Sequence, residues 1–272
     1  MNYFRMEKVS DSIVRIIDSV NVAMYLVIGE TSACLIDTGC GFGDLKSFVE
    51  TITDKPIIVV LTHAHLDHSG AASLFDTVYL SPKELEVYKV HGNDEYRSKY
   101  FNEFAEAMNI QLPKFNQERI RPFEVLNDNQ IFDLGGVSLK FINVPGHTPG
   151  IMKVLIPELR TVIFGDACGR SVLLFEDWSE PVSSYKNNLL NFKTEYENDY
   201  DIVLRNHGSF ESNKIILDNV IACCEDVLSG VDDKQETYVQ GELCYRAKAT
   251  DKESNRIDGV EGNVVYRFDK NY

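Results

Sequence analysis

The sequence predicts an α+β chain made of two similar halves, each a β-sheet with helices outside. Two observations carry this. Short β-branched runs are followed by a helix twice along the chain, and polar residues sit at strand exits in both halves. At 272 residues, 44% hydrophobic and 25% charged, the chain has enough apolar material for a large core.

The elements read as follows. Ile13–Ile17, Val22–Ile28 and Ala33–Ile36 are apolar, partly β-branched and separated by polar or glycine turns, which predicts three strands. Asp37-Thr38-Gly39-Cys40-Gly41-Phe42-Gly43 breaks the third. A helix is expected from about Asp44, with Leu45, Phe48, Val49 and Ile52 at helical spacing. Pro56–Leu61 reads as a buried strand, followed closely by a helix over Ser69–Phe75. Ser81-Pro82-Lys83-Glu84 has the form of a helix start, with a serine cap, proline in the first turn and glutamate three residues after the cap. A helix over Asp94–Met108 follows.

In the second half, Asp133-Leu134-Gly135-Gly136 is a turn, and Val137, Leu139 and Phe141 then alternate with polar residues. Strands are expected at Met152–Ile156, Thr161–Phe164 and Ile202–Leu204. Helices are expected over Ser184–Tyr196, with Tyr185, Leu189 and Phe192 on one face, and over Ser212–Leu228. Residues 231–272 are polar, with weak strand signals near Leu243 and Val264. We read 1–230 as the main domain and 231–272 as its C-terminal appendage.

No run of about 18 apolar residues is present, so no membrane-spanning helix is expected. The N-terminus lacks the apolar core of a signal peptide. The six cysteines form no CxxC pair, which fits reduced thiols in the cytoplasm better than a disulfide framework. A net charge of −15 argues against nucleic acid and anionic membranes as partners. A small-molecule substrate is the expectation, with the oligomeric state open.

His63-Ala64-His65-Leu66-Asp67-His68 places three of the six histidines in six residues. Imidazole and carboxylate are the donors that a borderline cation such as zinc prefers. His63 and His65, two apart where the chain leaves a strand, point the same way and form a chelate. Asp67 and His68 lie where the chain turns, aimed at a second point. Three further candidates sit at distant strand ends or tight loops: His147 in VPGHTPG, Asp166 in FGDA and His207 in NHG. Each also has a plain structural reading. Asp67 and Asp166 can cap turns, and a single loop histidine is commonly just packed.

Taken in order, THAHLDHSG, PGHTPG, GDA and NHG, together with Leu35-Ile36-Asp37-Thr38-Gly39, resemble the metallo-β-lactamase fold superfamily over about residues 13–210. The resemblance implies a four-layer αββα sandwich in which two mixed sheets pack face to face. It implies two divalent metal ions, zinc first, with iron or manganese as alternatives. His63, His65 and His147 would bind one, Asp67, His68 and His207 the other, and Asp166 would bridge. Asp67 would also orient the metal-held hydroxide and take its proton. Asp37 reads as a turn-stabilising carboxylate behind the ligands, and His91 as a leftover surface residue.

The implied activity is a dinuclear metal-dependent hydrolase of a small ester, thioester or lactone, in the glyoxalase II and lactonase branch. The alternatives are a mononuclear iron oxygenase of the persulfide dioxygenase type and a non-catalytic metal-bound sensor. Residues 84–119 (Tyr88, Tyr96, Arg97, Tyr100, Phe104) and 168–187 (Arg170, Phe175, Trp178, Tyr185) are expected to hold substrate selection. Trp178 and Tyr185 are open between pocket and packing roles.

Overall fold

The computed structural model describes residues 3–270, which form two compact units. The first comprises the chain up to Leu139 together with Asn206–Gly208; the second comprises Lys140–Arg205 and the chain from Ser209 onward.

The first unit is built on seven strands in sequential order. These are β1 (Phe4–Lys8), β2 (Ile13–Asp18), β3 (Ala23–Ile28), β4 (Ala33–Ile36), β5 (Ile57–Val60), β6 (Val78–Leu80) and β7 (Glu124–Val125). β1 to β4 pair antiparallel, and β4 to β7 pair parallel. The change of sense has a plain cause. Short turns join the first four strands, whereas the parallel neighbours are joined by longer crossovers. Those crossovers carry α1 (Leu45–Glu50), α2 (Leu66–Ser69), α3 (Leu85–His91) and α4 (Asp94–Met108). β3 and β4 are buried almost throughout. Asp44 caps α1 through Ser47, and Asn93 caps α4 through Glu95 and Tyr96.

β8 (Gln130–Asp133) leads through the Asp133–Val137 turn into β9 (Ser138–Asn143), where the chain leaves the first unit. The second unit adds β10 (Met152–Ile156), β11 (Thr161–Ile163), β12 (Val172–Leu174), α5 (Val182–Tyr196), β13 (Ile202–Leu204), β14 (Glu211–Ser212), α6 (Ile216–Ser229), β15 (Gln235–Val239), β16 (Glu242–Arg246) and β17 (Val264–Tyr266). One mixed sheet runs β14-β13-β11-β10-β9, and another runs β12-β17-β16-β15. α5 and α6 bury Tyr185, Leu189, Phe192, Val220, Cys224 and Val227 in a shared core with Val162, Phe164 and Val203. The polar C-terminal stretch joins this unit through the parallel pairing of β17 with β12.

Several expected bounds shift. The helix expected over Ser69–Phe75 is instead α2 at Leu66–Ser69 and a separate 3-10 turn at Ala72–Leu74, so Asp67 and His68 are themselves helical. α6 starts at Ile216 rather than Ser212, because Glu211 and Ser212 pair with β13. β1, β6, β7, β12, β14 and β15 have no counterpart in the sequence reading; β7 is only two residues and both are exposed. Among the described residues no helix is long and apolar enough to cross a membrane. All six cysteines are free and buried.

β10 contains a lysine that its burial makes costly. Lys153 is fully buried, and its Nζ lies 4.1 Å from the Phe164 ring centre and 4.2 Å from that of Phe192. Its ammonium has no hydrogen-bond partner among the described residues. Burial pulls its pKa from 10.5 down to about 8; the two ring faces offset only part of the desolvation. Between those two pH values the unfolded chain binds the proton that the folded chain has lost, so stability rises with pH there. Below about pH 8 the burial penalty is present in full. Lys153→Met is therefore expected to stabilise the fold by about 2–3 kcal/mol at pH 7, with the gain shrinking at pH 10. Urea unfolding at both pH values checks this, and a variant less stable than the parent at pH 7 would contradict it.

Candidate metal centre

In the first unit the candidate site is built around the C-terminal end of β5. Leu61 N–H bonds to Tyr79 O, so the chain leaves the sheet at Thr62 and enters His63-Ala64-His65. His65 is the N-cap of α2, and its carbonyl accepts from the N–H groups of His68 and Ser69 at 2.9 Å each. A four-residue helix is marginal alone. Here it is held from outside: Thr38 N–H and Oγ1 both donate to His68 O, and Gly70 N–H donates to Gly39 O. The loop after β4 comes so close that a Cβ on Gly70 would lie 2.3 Å from the Cys40 carbonyl carbon. Only glycine fits there.

Asp37 is the hub of this unit's site. It is fully buried at the end of β4, with a left-handed backbone (φ 64°). Its carboxylate accepts from Thr62 N–H at 2.7 Å, Thr62 Oγ1 at 2.9 and 3.0 Å, His68 Nδ1 at 2.9 Å and Asn206 Nδ2 at 3.0 Å. Because the carboxylate only accepts, His68 carries its proton on Nδ1, and Nε2 presents a lone pair. The same logic extends to His63. Thr62 gives its single hydroxyl proton to Asp37, so its oxygen accepts from His63 Nδ1 at 3.1 Å. Asp37 thus acts behind the candidate donors, as the sequence suggested.

His68 Nε2, His207 Nε2 and Asp67 Oδ2 converge. The separations are 3.3 Å between the two imidazole nitrogens, 3.4 Å from His207 to Asp67 and 3.7 Å from His68 to Asp67. A tetrahedral cation with bonds of about 2.0–2.1 Å has ligand–ligand edges of roughly 3.3–3.4 Å. Two nitrogens and one carboxylate oxygen at this spacing fit a divalent zinc-like ion. His68 is wholly buried, whereas the His207 side chain is 40% exposed, so the triad opens to solvent on the His207 side.

His207 reaches the first unit through Asn206. Asn206 is bonded to β3 through its carbonyl, which accepts from Ala23 N–H at 2.8 Å, and through its Nδ2, which donates to Ala23 O at 2.7 Å. Sequence reasoning used the NHG motif for His207 alone and missed this role of Asn206.

In the second unit, His147 and Asp166 are brought together. The His147 ring donates from Nδ1 to Leu173 O at 2.7 Å; a carbonyl only accepts, so Nε2 again holds the lone pair. That nitrogen lies 3.8 Å from Asp166 Oδ2. The loop is pinned on three sides, by Ser179 Oγ to His147 O, Glu180 N–H to Gly146 O and Asn188 Nδ2 to Pro145 O. Gly146 packs against Tyr185, whose ring would sit 2.1 Å from any Cβ there. Asp166 lies in a 3-10 turn, Gly165–Ala167, just beyond β11.

Two expectations are corrected and one open choice is settled. His91 is not a surface residue: it is 3% exposed, and its ring stacks on His65 at 4.3 Å and 29°. Arg97 does not face substrate. It is buried and donates to the carbonyls of Cys40, Gly70 and Asn116, with its guanidinium over Phe115. Tyr185 is packing, fully buried with its hydroxyl donating to Ala167 O. Nor do the thiols offer a nucleophile. Burial pushes Cys168 and Cys223 up to about 11 and raises Cys40 well above the ordinary range.

Residues 17–205 match the family described as the metallo-beta-lactamase superfamily. The chain belongs to that superfamily. The sequence is 26% identical over 172 residues to human acyl-coenzyme A thioesterase MBLAC2, covering 57% of this chain and 60% of the human protein. It is 28% identical over 191 residues to hydroxyacylglutathione hydrolase GloC of Haemophilus influenzae, covering 66% and 82% respectively. The chain therefore spans less than two thirds of the human relative's length. The structure matches a metallo-beta-lactamase from Pontibacter korlensis with a TM-score of 0.61 at 16% identity, covering 82% of this chain and 99% of that one. At that identity the likeness establishes the metallo-beta-lactamase fold, the fold class expected from the sequence.

Proposed function

We propose that this protein is a metal-dependent hydrolase with a dinuclear centre that cleaves an acyl thioester of a small molecule. The observation that carries the reading is the Asp67–His68–His207 triad, whose donors lie within 4.8 Å of one another with the His68 tautomer fixed from behind by Asp37. The narrowing from ester, thioester or lactone to thioester is supported by the relatives, one named a thioesterase and another a hydrolase of an acylglutathione.

In this reading Asp67, His68 and His207 hold one cation. By the family resemblance, His63, His65, His147 and Asp166 would supply the remaining donors. Five imidazoles and two carboxylates favour zinc. Bound divalent metal supplies hydroxide at neutral pH and polarises the acyl carbonyl. The chain's own groups do the rest. Asp37 and Thr62 keep His68 and His63 in the tautomer that offers Nε2. Asp67, partly exposed beside His68, would be the group to accept a proton from the nucleophile. The exposed His207 side leaves an entrance for substrate. Six free, buried thiols support a reducing compartment, which we take to be the cytoplasm.

The test combines metal content with a substrate panel. Two equivalents of zinc per chain and thiol release from acyl-coenzyme A or acylglutathione are expected. A chain that takes up no divalent metal, or a loaded chain inert toward every thioester, ester and lactone offered, overturns the proposal.

A further inference from the structure

Glu84 is a carboxylate with no exposed surface, held in the interior of the first unit. An ionised group there is costly unless strong hydrogen bonds compensate it. The local sequence offers it a cheap alternative, since Ser81-Pro82-Lys83-Glu84 has the capping-box pattern in which the glutamate folds back to its own helix start. That box does not form. The Ser81 side chain makes no cap bond, and Glu84 closes a 3-10 turn over Pro82–Glu84. Its Oε2 instead accepts the backbone N–H of Ala64, twenty residues away, at 2.9 Å.

Ala64 is the residue between His63 and His65. Its N–H is held by Glu84, and its carbonyl accepts from Ser69 Oγ at 3.1 Å. Fixing both peptide planes around Ala64 fixes the directions in which the flanking side chains leave the backbone. The segment that starts at Glu84 bears on the motif at its other end too. α3 ends at His91, whose ring stacks on His65. One short segment thus grips the His-Ala-His stretch at its backbone and at one of its rings.

We propose that Glu84 is a positioning residue for the His63–His65 pair, setting how tightly that pair takes a divalent cation. The proposal rests on the metal-binding reading of the site. Glu84 acts through the Ala64 peptide and touches neither the cation nor substrate.

Zinc affinity, measured by competition with a chromogenic chelator, tests this apart from turnover. E84A is expected to bind zinc about 10–100-fold more weakly. E84Q, which keeps an oxygen acceptor for the Ala64 N–H, is expected to stay within about threefold of the parent, following the bond's geometry rather than the charge. The Ala64 amide proton, read by NMR on the metal-free protein, is expected to change its chemical shift in E84Q, where the acceptor becomes an amide oxygen. That readout needs only the conservative variant, so it stands even if E84A fails to fold. Parental affinity in a folded E84A, equal losses in E84Q and E84A, or an Ala64 amide that does not move overturns the inference alone. A parent chain that takes up no zinc overturns the functional reading and this inference with it.

Discussion

In the proposed dinuclear thioesterase, His68→Ala is expected to lose one of the two cations and on the order of 10³ in turnover, a loss of about 4 kcal/mol in transition-state stabilisation. His68 is the member of the triad with no freedom to be replaced by water. It is fully buried, its Nδ1 is committed to Asp37, and its Nε2 stands 3.3 Å from His207 and 3.7 Å from Asp67. Removing it leaves two donors on the solvent side of the site and a cavity beneath them. Elemental analysis and kcat/KM with an acyl-coenzyme A substrate measure both losses. The comparison variant is His207→Ala. Its side chain is exposed, so it should cost little stability yet a similar amount of turnover. Full metal content and full turnover in His68→Ala would sink the assignment of the triad.

The second large effect is expected at Asp37, and its two substitutions separate folding from metal binding. Asp37→Ala strands the Thr62, His68 and Asn206 donors in a site closed to water. It also puts alanine at φ 64°, a region that aspartate and asparagine tolerate better. A stability loss of about 3–5 kcal/mol is expected in urea unfolding. Asp37→Asn keeps the shape and suits the backbone, so its stability loss should be smaller. Its amide, however, can turn an NH₂ toward His68 Nδ1, which favours the tautomer with the proton on Nε2. That removes the lone pair from the triad. Zinc affinity is therefore expected to fall about 10–100-fold in Asp37→Asn even though the chain folds. An Asp37→Asn protein that binds zinc as the parent does would show that the tautomer is not set from Asp37.

Much of this was legible in the sequence, because the informative residues follow strands and their motifs are local. β10 and β13 match the expected bounds, and α4 runs from Asp94 to Met108 as its pattern implies. The histidine window, the VPGHTPG loop and the GDA turn are each contiguous, so residue type and spacing reveal them. What stayed hidden depends on partners far along the chain. Glu84 looked like a capping residue because its first three neighbours fit a cap; its true partner, Ala64, is outside that window. His91 looked exposed because nothing in α3 announces that its last turn meets His65. Arg97 falls within the 84–119 stretch expected to hold substrate selection, and only the folded chain brings three carbonyls to it. Asn206 is the same case, linking Ala23 to Asp37 across most of the chain's length.

The three residues Asn206–Gly208 belong to the first unit although the chain on either side of them belongs to the second. This sets an order of events during synthesis. When the ribosome has released the strands of the first unit, Asp37 and His68 exist without Asn206 and His207, and 139 residues separate the two triad histidines. Closing so long a loop is entropically unfavourable until other contacts reward it. The three donors of the triad can therefore come together only after this tripeptide, made long after the sheet that receives it, has been added.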